Sequence, residues 1–331
     1  NLCEALDTEP YISGNIGSGT VREFADWIQY VNHDGVSPMA DLRRENGRKH
    51  PWDVRFWGLG NEAWGCGGHM TASYYANLYR QYATYMTDWS NSSDLYRIAS
   101  GANDGNYNWT EVLMKNIPTN LIEAVALHSY SGIDGGNKGS ATEFSATQYF
   151  QTMQRAYKME EYITKHSAIM DQYDPENTID LIVDEWGGWY DVEPGTNPGF
   201  LYQQNTMRDA MIAGMTLNIF NNHAERVKMA NLAQTVNVLQ AVITIPIVQR
   251  SKESNIPLWL TFPIIGSYMI GYVLLFSSTS VDETLEDIRW MGIAYMVTGG
   301  AFTLAAMIGI VLKCYPVLNT RQKKVKQSLI V

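Results

Sequence analysis

Cysteine is scarce in this sequence, with three residues among 331. Cys3, Cys66 and Cys314 lie far apart, and neither a Cys-x-x-Cys pair nor a histidine at zinc-finger spacing accompanies them. His69 lies close to Cys66, but no third or fourth ligand is spaced to join that pair, so no metal site is predicted. We therefore expect free thiols in a reducing compartment, which indicates the cytoplasm.

Basic residues are few over residues 1–243, where 16 stand against 29 acidic residues. Such an acidic segment repels phosphate backbones, so nucleic acid is not an expected partner. The run Gly14-Asn-Ile-Gly-Ser-Gly19 resembles a phosphate-binding turn only superficially, because the acidic ribose partner and the rest of that unit are missing. A nucleotide-binding sheet is therefore disfavoured.

Long uncharged apolar runs are also absent from residues 1–243, and no signal-peptide pattern follows Asn1. We expect the sequence to be a fragment.

Two apolar runs occur later, at residues 256–276 and 291–312. Each could cross a hydrocarbon core of roughly 30 Å as a helix, although a pair of buried core helices is the alternative. Basic residues flank the pair and acidic residues lie between, which predicts a transmembrane hairpin with both ends in the cytoplasm. The expected regions are a barrel part at 1–243, a junction at 244–255, two membrane helices within 256–312 and a basic cytoplasmic tail at 313–331.

Strand-like runs alternate with amphipathic helical stretches over residues 1–243. Strands are predicted at residues 9–13, 54–60, 96–100, 124–128, 181–184 and 215–220, and helices at 21–32, 72–89, 144–169 and 203–213. This alternation predicts an α/β fold with parallel strands and right-handed crossovers. In a (β/α)8 barrel, the active site lies at the carboxyl ends of the strands. Polar residues follow all six predicted strands: Gly14-Asn15, Asn61-Glu62, Asn103-Asp104, His128-Ser-Tyr130, Glu185-Trp186 and Asn221-Asn-His223.

Two of these polar ends contain a glutamate among aromatic and glycine residues. Trp64 follows Glu62, and Trp186 follows Glu185. Glycoside hydrolysis needs one carboxylic acid and one carboxylate, and indole rings suit the CH faces of sugars. A single glutamate at a strand end is more often a cap or ion-pair residue, but two in matching surroundings favour a glycosidase. A carbohydrate-binding module is the alternative that uses the same aromatic residues without chemistry.

Histidines and a tyrosine at these strand ends are further candidates. His128 and Tyr130 are predicted to orient the nucleophile or to bind substrate, although a histidine after an apolar strand is often a satisfied core residue. His223 is similarly ambiguous.

Longer motifs resemble the family 51 α-L-arabinofuranosidases. They are Gly35-Val-Ser-Pro-Met-Ala-Asp-Leu-Arg-Arg44, Trp57-Gly-Leu-Gly-Asn-Glu-Ala-Trp-Gly-Cys-Gly-Gly68, Val183-Asp-Glu-Trp186 and the run from Asn222 to Gln240. The resemblance covers residues 1 to about 243, and residues 244–331 are not expected to belong to the family. It implies that Glu62 is the general acid/base and Glu185 the nucleophile. It also implies substrate contacts by Asn61, Tyr130 and Gln234.

The family resemblance implies a retaining hydrolase that needs no cofactor and releases terminal arabinofuranosyl units from arabinan or arabinoxylan oligosaccharides. The two carboxyl groups should then lie about 5 to 5.5 Å apart. The first strand here corresponds to the family's third, so a truncated (β/α)8 TIM barrel of strands three to eight is expected. The resemblance further implies a homo-oligomer, with a hexamer expected. The alternative is an inactive hydrolase fragment fused to the end of a sugar-transporter-like membrane protein.

Overall fold

The computed structural model describes residues 1–90, 94–133 and 136–245. These residues belong to one compact unit of the chain. Both predicted membrane helices, the basic tail and all of the junction beyond residue 245 lie outside the described residues. Within the described ranges, no helix combines the length and the apolar character needed to cross a membrane.

Six parallel strands form one sheet in which each strand pairs with the next along the chain. The strands are β1 (Tyr11–Gly14), β2 (Phe56–Leu59), β3 (Tyr96–Asn103), β4 (Ala124–Ser131), β5 (Asp180–Gly188) and β6 (Val227–Leu232). Parallel pairing in chain order is the arrangement expected for consecutive βα units of a barrel wall. The predicted parallel α/β fold is confirmed.

The sheet is strongly curved, as one hydrogen bond across its concave side demonstrates. The Tyr11 hydroxyl on β1 donates to Asp184 Oδ2 on β5 over 2.9 Å. Four strand spacings separate these strands along the sheet, about 19 Å if the sheet were flat. Side chains from β1 and β5 therefore meet only because the sheet curls as the wall of a barrel does.

Seven α-helices lie in the described part of the chain. They are α1 (Leu2–Leu6), α2 (Val21–Asn32), α3 (Pro38–Glu45), α4 (Ala72–Tyr85), α5 (Tyr107–Asn116), α6 (Ala146–Tyr173) and α7 (Met207–Asn222). A reciprocal capping box starts α2: the Thr20 hydroxyl accepts from the backbone N–H of Glu23, and the Glu23 carboxylate accepts from Thr20. The bounds predicted for α2 are confirmed, and those for α4 and α6 are right to within four residues.

The sixth predicted strand, residues 215–220, is wrong because this segment lies inside α7. A capping box between Thr206 and Asp209 starts the helix. Ile212, Thr216, Ile219 and Phe220 then recur at helical spacing and are buried. The sixth strand is instead β6, which begins at Val227. The predicted strand end Asn221-Asn-His223 therefore closes a helix, and His223 Nε2 lies 2.7 Å from Glu160 Oε1 on α6, away from the carboxyl ends of the strands.

Two irregularities break the ladder near the carboxyl ends of the strands. On β3, the register shifts between Ala99 and Ala102. There a Cβ on Gly101 would stand 1.4 Å from the carbonyl oxygen of Ala126, so only glycine allows this approach of β3 to β4. On β5, the three steps from Ile182 to Glu185 span the same interval as the two steps from Ala126 to His128 on β4. Both irregularities lie next to the polar strand ends.

Candidate active site

A cavity of about 530 Å³ opens at the carboxyl ends of the strands. It is lined by Tyr11, Ser13, Gly14, Asn15, Ile16, Gly17, Gly60, Asn61, Cys66, Gly67, Asp184, Glu185 and Asn231. Predicted site residues Asn61 and Glu185 are in this lining. The cavity is wide enough for a small ligand, and Ser13, Asn15, Asn61, Asp184 and Glu185 in its lining offer the polar groups that a sugar-sized substrate needs.

Glu62 sits in a tight loop directly after β2, with a backbone φ of +44°. Two contacts fasten this loop to β3: the backbone N–H of Ala63 donates to Ser100 Oγ over 3.2 Å, and Trp64 Nε1 donates to the carbonyl oxygen of Gly101 over 2.9 Å. The positive φ is a conformation that non-glycine residues adopt rarely and at active sites. The loop therefore directs Glu62 by anchoring its neighbours.

Glu185 lies on β5 opposite His128 of β4 in the register of the sheet. Its two carboxylate oxygens have separate donors. The Tyr130 hydroxyl donates to Oε2 over 2.7 Å, and Asn61 Nδ2 donates to Oε1 over 3.2 Å. Three residues from β4, β5 and the loop after β2 thus converge, which fixes the carboxylate in one orientation.

His128 lies between the carboxylates, and its side chain is only 4% exposed. Its Nδ1 lies 3.0 Å from Glu62 Oε1 and 3.6 Å from Glu185 Oε2, while its Nε2 lies 3.1 Å from Asp184 Oδ1. Burial alone lowers the pKa of His128, but the charge and hydrogen bond of Asp184, together with Glu62 and Glu185, outweigh burial and raise this pKa to about 10. The hydrogen bond from His128 is in turn the main cause that lowers the pKa of Glu62.

Glu62, His128 and Glu185 present atoms of metal-ligand type within 4.8 Å of one another. Both imidazole nitrogens of His128 already face carboxylates, so neither lone pair is directed at an open coordination position. We therefore interpret the cluster as an ion-pair network. The same distance means that one oxygen of Glu62 and one of Glu185 lie within 4.8 Å of each other.

Comparisons with known proteins agree with this geometry. Residues 12–155 match the model of the α-L-arabinofuranosidase 1 domain, and residues 184–290 match that of the α-L-arabinofuranosidase C-terminal domain. An intracellular exo-α-L-arabinofuranosidase of Bacteroides ovatus is 47% identical over 272 residues, which are 82% of this chain and 51% of the relative. Over these residues the chain is similar to the α-L-arabinofuranosidases.

Solved structures of family 51 arabinofuranosidases show the same fold. The enzyme from Xanthomonas axonopodis pv. citri is 46% identical with a TM-score of 0.72, and the match covers 74% of this chain and 49% of that one. The α-L-arabinofuranosidase from Thermotoga maritima, solved as an arabinose complex, is 28% identical with a TM-score of 0.62, over 74% and 47% of the two chains. The chain thus spans about half the length of these relatives.

The family match also corrects the sequence interpretation of the tail. The C-terminal domain model extends to residue 290. The prediction that the chain leaves the family at about residue 243 is therefore wrong for residues 244–290. The membrane-like pattern of apolar residues in this segment led to that prediction.

Five of the six predicted substrate contacts are not among the cavity-lining residues, and neither is Glu62. His128 and Tyr130 lie beside the two glutamates, whereas the other three lie elsewhere. Trp64 uses its indole N–H to hold the Glu62 loop. Trp186 is 2% exposed and packs edge-on against Phe220 of α7, with ring centroids 5.1 Å apart. Gln234 is exposed on the loop after β6, where its backbone carbonyl accepts from the N–H of Val242 over 2.8 Å. The structure brings together Asn61, Glu62, His128, Tyr130 and Glu185.

Sequence reasoning missed three polar neighbours of the carboxylates. Tyr11 and Asp184 line the cavity and bond to each other, and the Cys66 thiol donates to Glu62 Oε2 over 3.3 Å. Asp184 and Cys66 stand inside the family motifs, next to the two glutamates. Their closeness in sequence to Glu185 and Glu62 could have identified them. In a regular strand, however, Asp184 would point to the opposite face of the sheet from Glu185.

Proposed function

We propose that this chain provides the catalytic site of a retaining α-L-arabinofuranosidase that releases terminal non-reducing α-L-arabinofuranosyl units from arabinan- and arabinoxylan-type oligosaccharides. The observation that carries the proposal is the pair of glutamates at the ends of β2 and β5, with oxygens within 4.8 Å. Retaining glycosidases hold their carboxyl groups about 5 to 5.5 Å apart, whereas inverting ones leave about 6.5 to 9.5 Å for a water molecule. The short separation supports double displacement.

In the first step, the Glu185 carboxylate attacks the anomeric carbon while Glu62 protonates the leaving oxygen. A covalent arabinosyl ester on Glu185 and a free alcohol result. In the second step, Glu62 removes a proton from water, which attacks the same carbon and releases Glu185. Tyr130 and Asn61 each donate to one oxygen of Glu185 and so hold it in place for attack.

The cellular compartment and the oligomeric state of this chain are proposed only from its similarity to relatives. The Bacteroides ovatus relative is named as intracellular, which supports a cytoplasmic place for the barrel part of this chain. The homo-oligomer implied by the family resemblance stays a prediction.

The test of the roles uses p-nitrophenyl α-L-arabinofuranoside and the purified chain. We expect release of p-nitrophenol, and we expect Glu185→Ala to lower turnover by about 10⁴-fold or more, because no nucleophile remains. Added azide should restore turnover in this variant and give the β-configured arabinosyl azide. Turnover that persists unchanged in Glu185→Ala would contradict the assignment of the nucleophile.

A further inference from the structure

An irregularity of β5 places two consecutive carboxylates around one imidazole. In a regular strand, neighbouring side chains point to opposite faces of the sheet. On β5, however, three steps from Ile182 to Glu185 match two steps on β4, and three steps from Val183 to Trp186 match two on β6. Asp184 is the residue that lies inside both intervals without a partner in either register, so the extra residue of this β-bulge is located at Asp184, directly before Glu185.

The bulge brings both side chains to His128. Asp184 Oδ1 lies 3.1 Å from Nε2, and Glu185 Oε2 lies 3.6 Å from Nδ1 of the same ring. The other oxygen of Asp184 accepts from the Tyr11 hydroxyl over 2.9 Å. Asp184 is thus fixed between β1 and β4, with a side chain that is 9% exposed.

We propose that Asp184 is a positioning residue for the acid/base pair: it holds His128 as an imidazolium, with Nδ1–H directed at Glu62 and Glu185. A neutral imidazole carries one ring proton and can donate from one nitrogen only. The imidazolium carries a proton on both nitrogens, so its positive charge faces Asp184 Oδ1 at Nε2 while Nδ1–H donates to Glu62. This role rests on the proposed function, because it concerns the acid/base of that same site.

Other charged groups near His128 do not replace Asp184. Glu62 and Glu185 share the Nδ1 side and belong to the chemistry itself. Tyr130 donates to Glu185, and Cys66 donates to Glu62. Directly after β3, the Asp104 carboxylate accepts from Ser129 Oγ and lies 3.9 Å from Arg155. Asp184 is the carboxylate that faces Nε2, and its charge also offsets the imidazolium charge that Glu62 experiences.

The experiment reads the protonation of His128 directly, by long-range ¹H–¹⁵N correlation of the histidine rings in the ¹⁵N-labelled chain. The chain has six histidines, so His128 is assigned by the loss of its signals in His128→Gln. In the unsubstituted chain, we expect both ring nitrogens of His128 to be protonated at pH 7. A spectrum with one unprotonated nitrogen at that pH would overturn the proposal without any variant.

Two variants then separate charge from hydrogen bonding. Asp184→Asn keeps the shape but removes the charge, and the His128 titration should move to lower pH by about 1 to 3 units, because an opposite charge at contact distance favours the ionised form by that amount. Tyr11→Phe is the matched control that keeps the Asp184 charge, and we expect a smaller shift. An unchanged titration in a folded Asp184→Asn chain would overturn the proposal.

Activity distinguishes this proposal from the proposed function. If the chain hydrolyses the arabinofuranoside but Asp184→Asn leaves the His128 titration unchanged, the function stands and the role of Asp184 fails. The opposite result is also informative. If the His128 titration shifts as expected but even the unsubstituted chain does not hydrolyse the substrate, Asp184 does stabilise the imidazolium of His128 and the proposed function fails.

Discussion

Tyr130 makes the shortest of the contacts described for Glu185, the proposed nucleophile. Its hydroxyl lies 2.7 Å from Glu185 Oε2, and burial followed by the charge of Glu185 raises the Tyr130 pKa far above its usual value, so the hydroxyl keeps its proton at any working pH. Hydrogen bonds to a charged group contribute about 1.5 to 3 kcal/mol, equivalent to roughly 10- to 100-fold in rate. We expect Tyr130→Phe to lower kcat by that factor, measured with p-nitrophenyl α-L-arabinofuranoside.

The matched control for Tyr130→Phe is Tyr79→Phe. The Tyr79 hydroxyl is buried too and donates to the carbonyl oxygen of Leu121 over 3.0 Å, before β4 and away from the cavity. This variant should lose stability but keep kcat. Equal kcat losses in both variants would show that Tyr130 acts through folding and not through Glu185.

Cys66 offers a test of the acid/base role proposed for Glu62 that leaves both glutamates in place. Its thiol donates to Glu62 Oε2, and this bond, together with burial and the charges of Glu62 and Glu185, raises the pKa of the thiol, which therefore remains a donor. Among the causes that lower the pKa of Glu62, the Cys66 hydrogen bond is smaller than that from His128. Glu62 must be protonated to act as the acid.

Removal of the Cys66 donor should therefore raise the pKa of Glu62. We expect the alkaline limb of kcat/KM against pH to move to higher pH in Cys66→Ala, by less than about one unit. Cys66→Ser keeps a hydroxyl donor and should show no move towards higher pH. Identical pH profiles for all three chains would mean that the thiol does not tune Glu62.

For single residues, the sequence alone predicts the position of side chains whose type indicates a chemical role. Glu62, Glu185 and their partners Asn61 and Tyr130 are at the predicted strand ends. It was not sufficient for Trp186, because an indole after a strand is equally suited to a sugar or to the core. Here the neighbouring helix α7 decides, since Phe220 packs against the ring.

Helices and strands were predictable from the sequence where capping residues and the hydrophobic pattern agree with the packing of the folded chain. The capping box at Thr20 and the amphipathic pattern after it specify α2 from the sequence alone. The segment 215–220 shows the opposite case, because its apolar run suits either a buried strand or a buried helix. Only the start of α7 at Thr206 and its buried face determine that it is helical.

The bulge on β5 could not be predicted from the sequence either, because it too depends on neighbouring parts of the fold. An inserted residue changes the face of every side chain after it, but composition does not reveal where a strand slips against its neighbours. Asp184 was therefore missed although it stands beside Glu185.

Gly101 provides a test of the other irregular strand, β3. A Cβ at this position would stand 1.4 Å from the Ala126 carbonyl oxygen, which is backbone and cannot move without breaking the β3 to β4 pairing. Overpacking of this kind costs about 1 to 3 kcal/mol or more. We expect Gly101→Ala to lower the free energy of unfolding by at least that amount in urea denaturation.

Gly199→Ala is the matched control for Gly101→Ala. The nearest atom to its added Cβ is Asn197 Oδ1 at 3.4 Å, in a surface turn after β5. This variant should unfold at nearly the midpoint of the unsubstituted chain. If Gly101→Ala is as stable as Gly199→Ala, the close approach of β3 to β4 is not present in solution.

The whole molecule brings its site together through curvature. The site residues come from the loop after β2 and from β4 and β5, and the Tyr11 to Asp184 bond draws β1 towards them. All of these residues precede residue 186, and Asn231 of β6 adds to the cavity lining from the other edge of the sheet. We therefore expect the chemistry to depend on the integrity of this curved sheet.

The measurement that tests the central claim most directly is the configuration of the product in methanol-containing buffer. The substrate is p-nitrophenyl α-L-arabinofuranoside, and the product is identified by ¹H NMR. Double displacement through Glu185 predicts methyl α-L-arabinofuranoside, because two inversions restore the configuration of the substrate. Methyl β-L-arabinofuranoside as the first product, or no release of p-nitrophenol by the folded chain, would contradict the account.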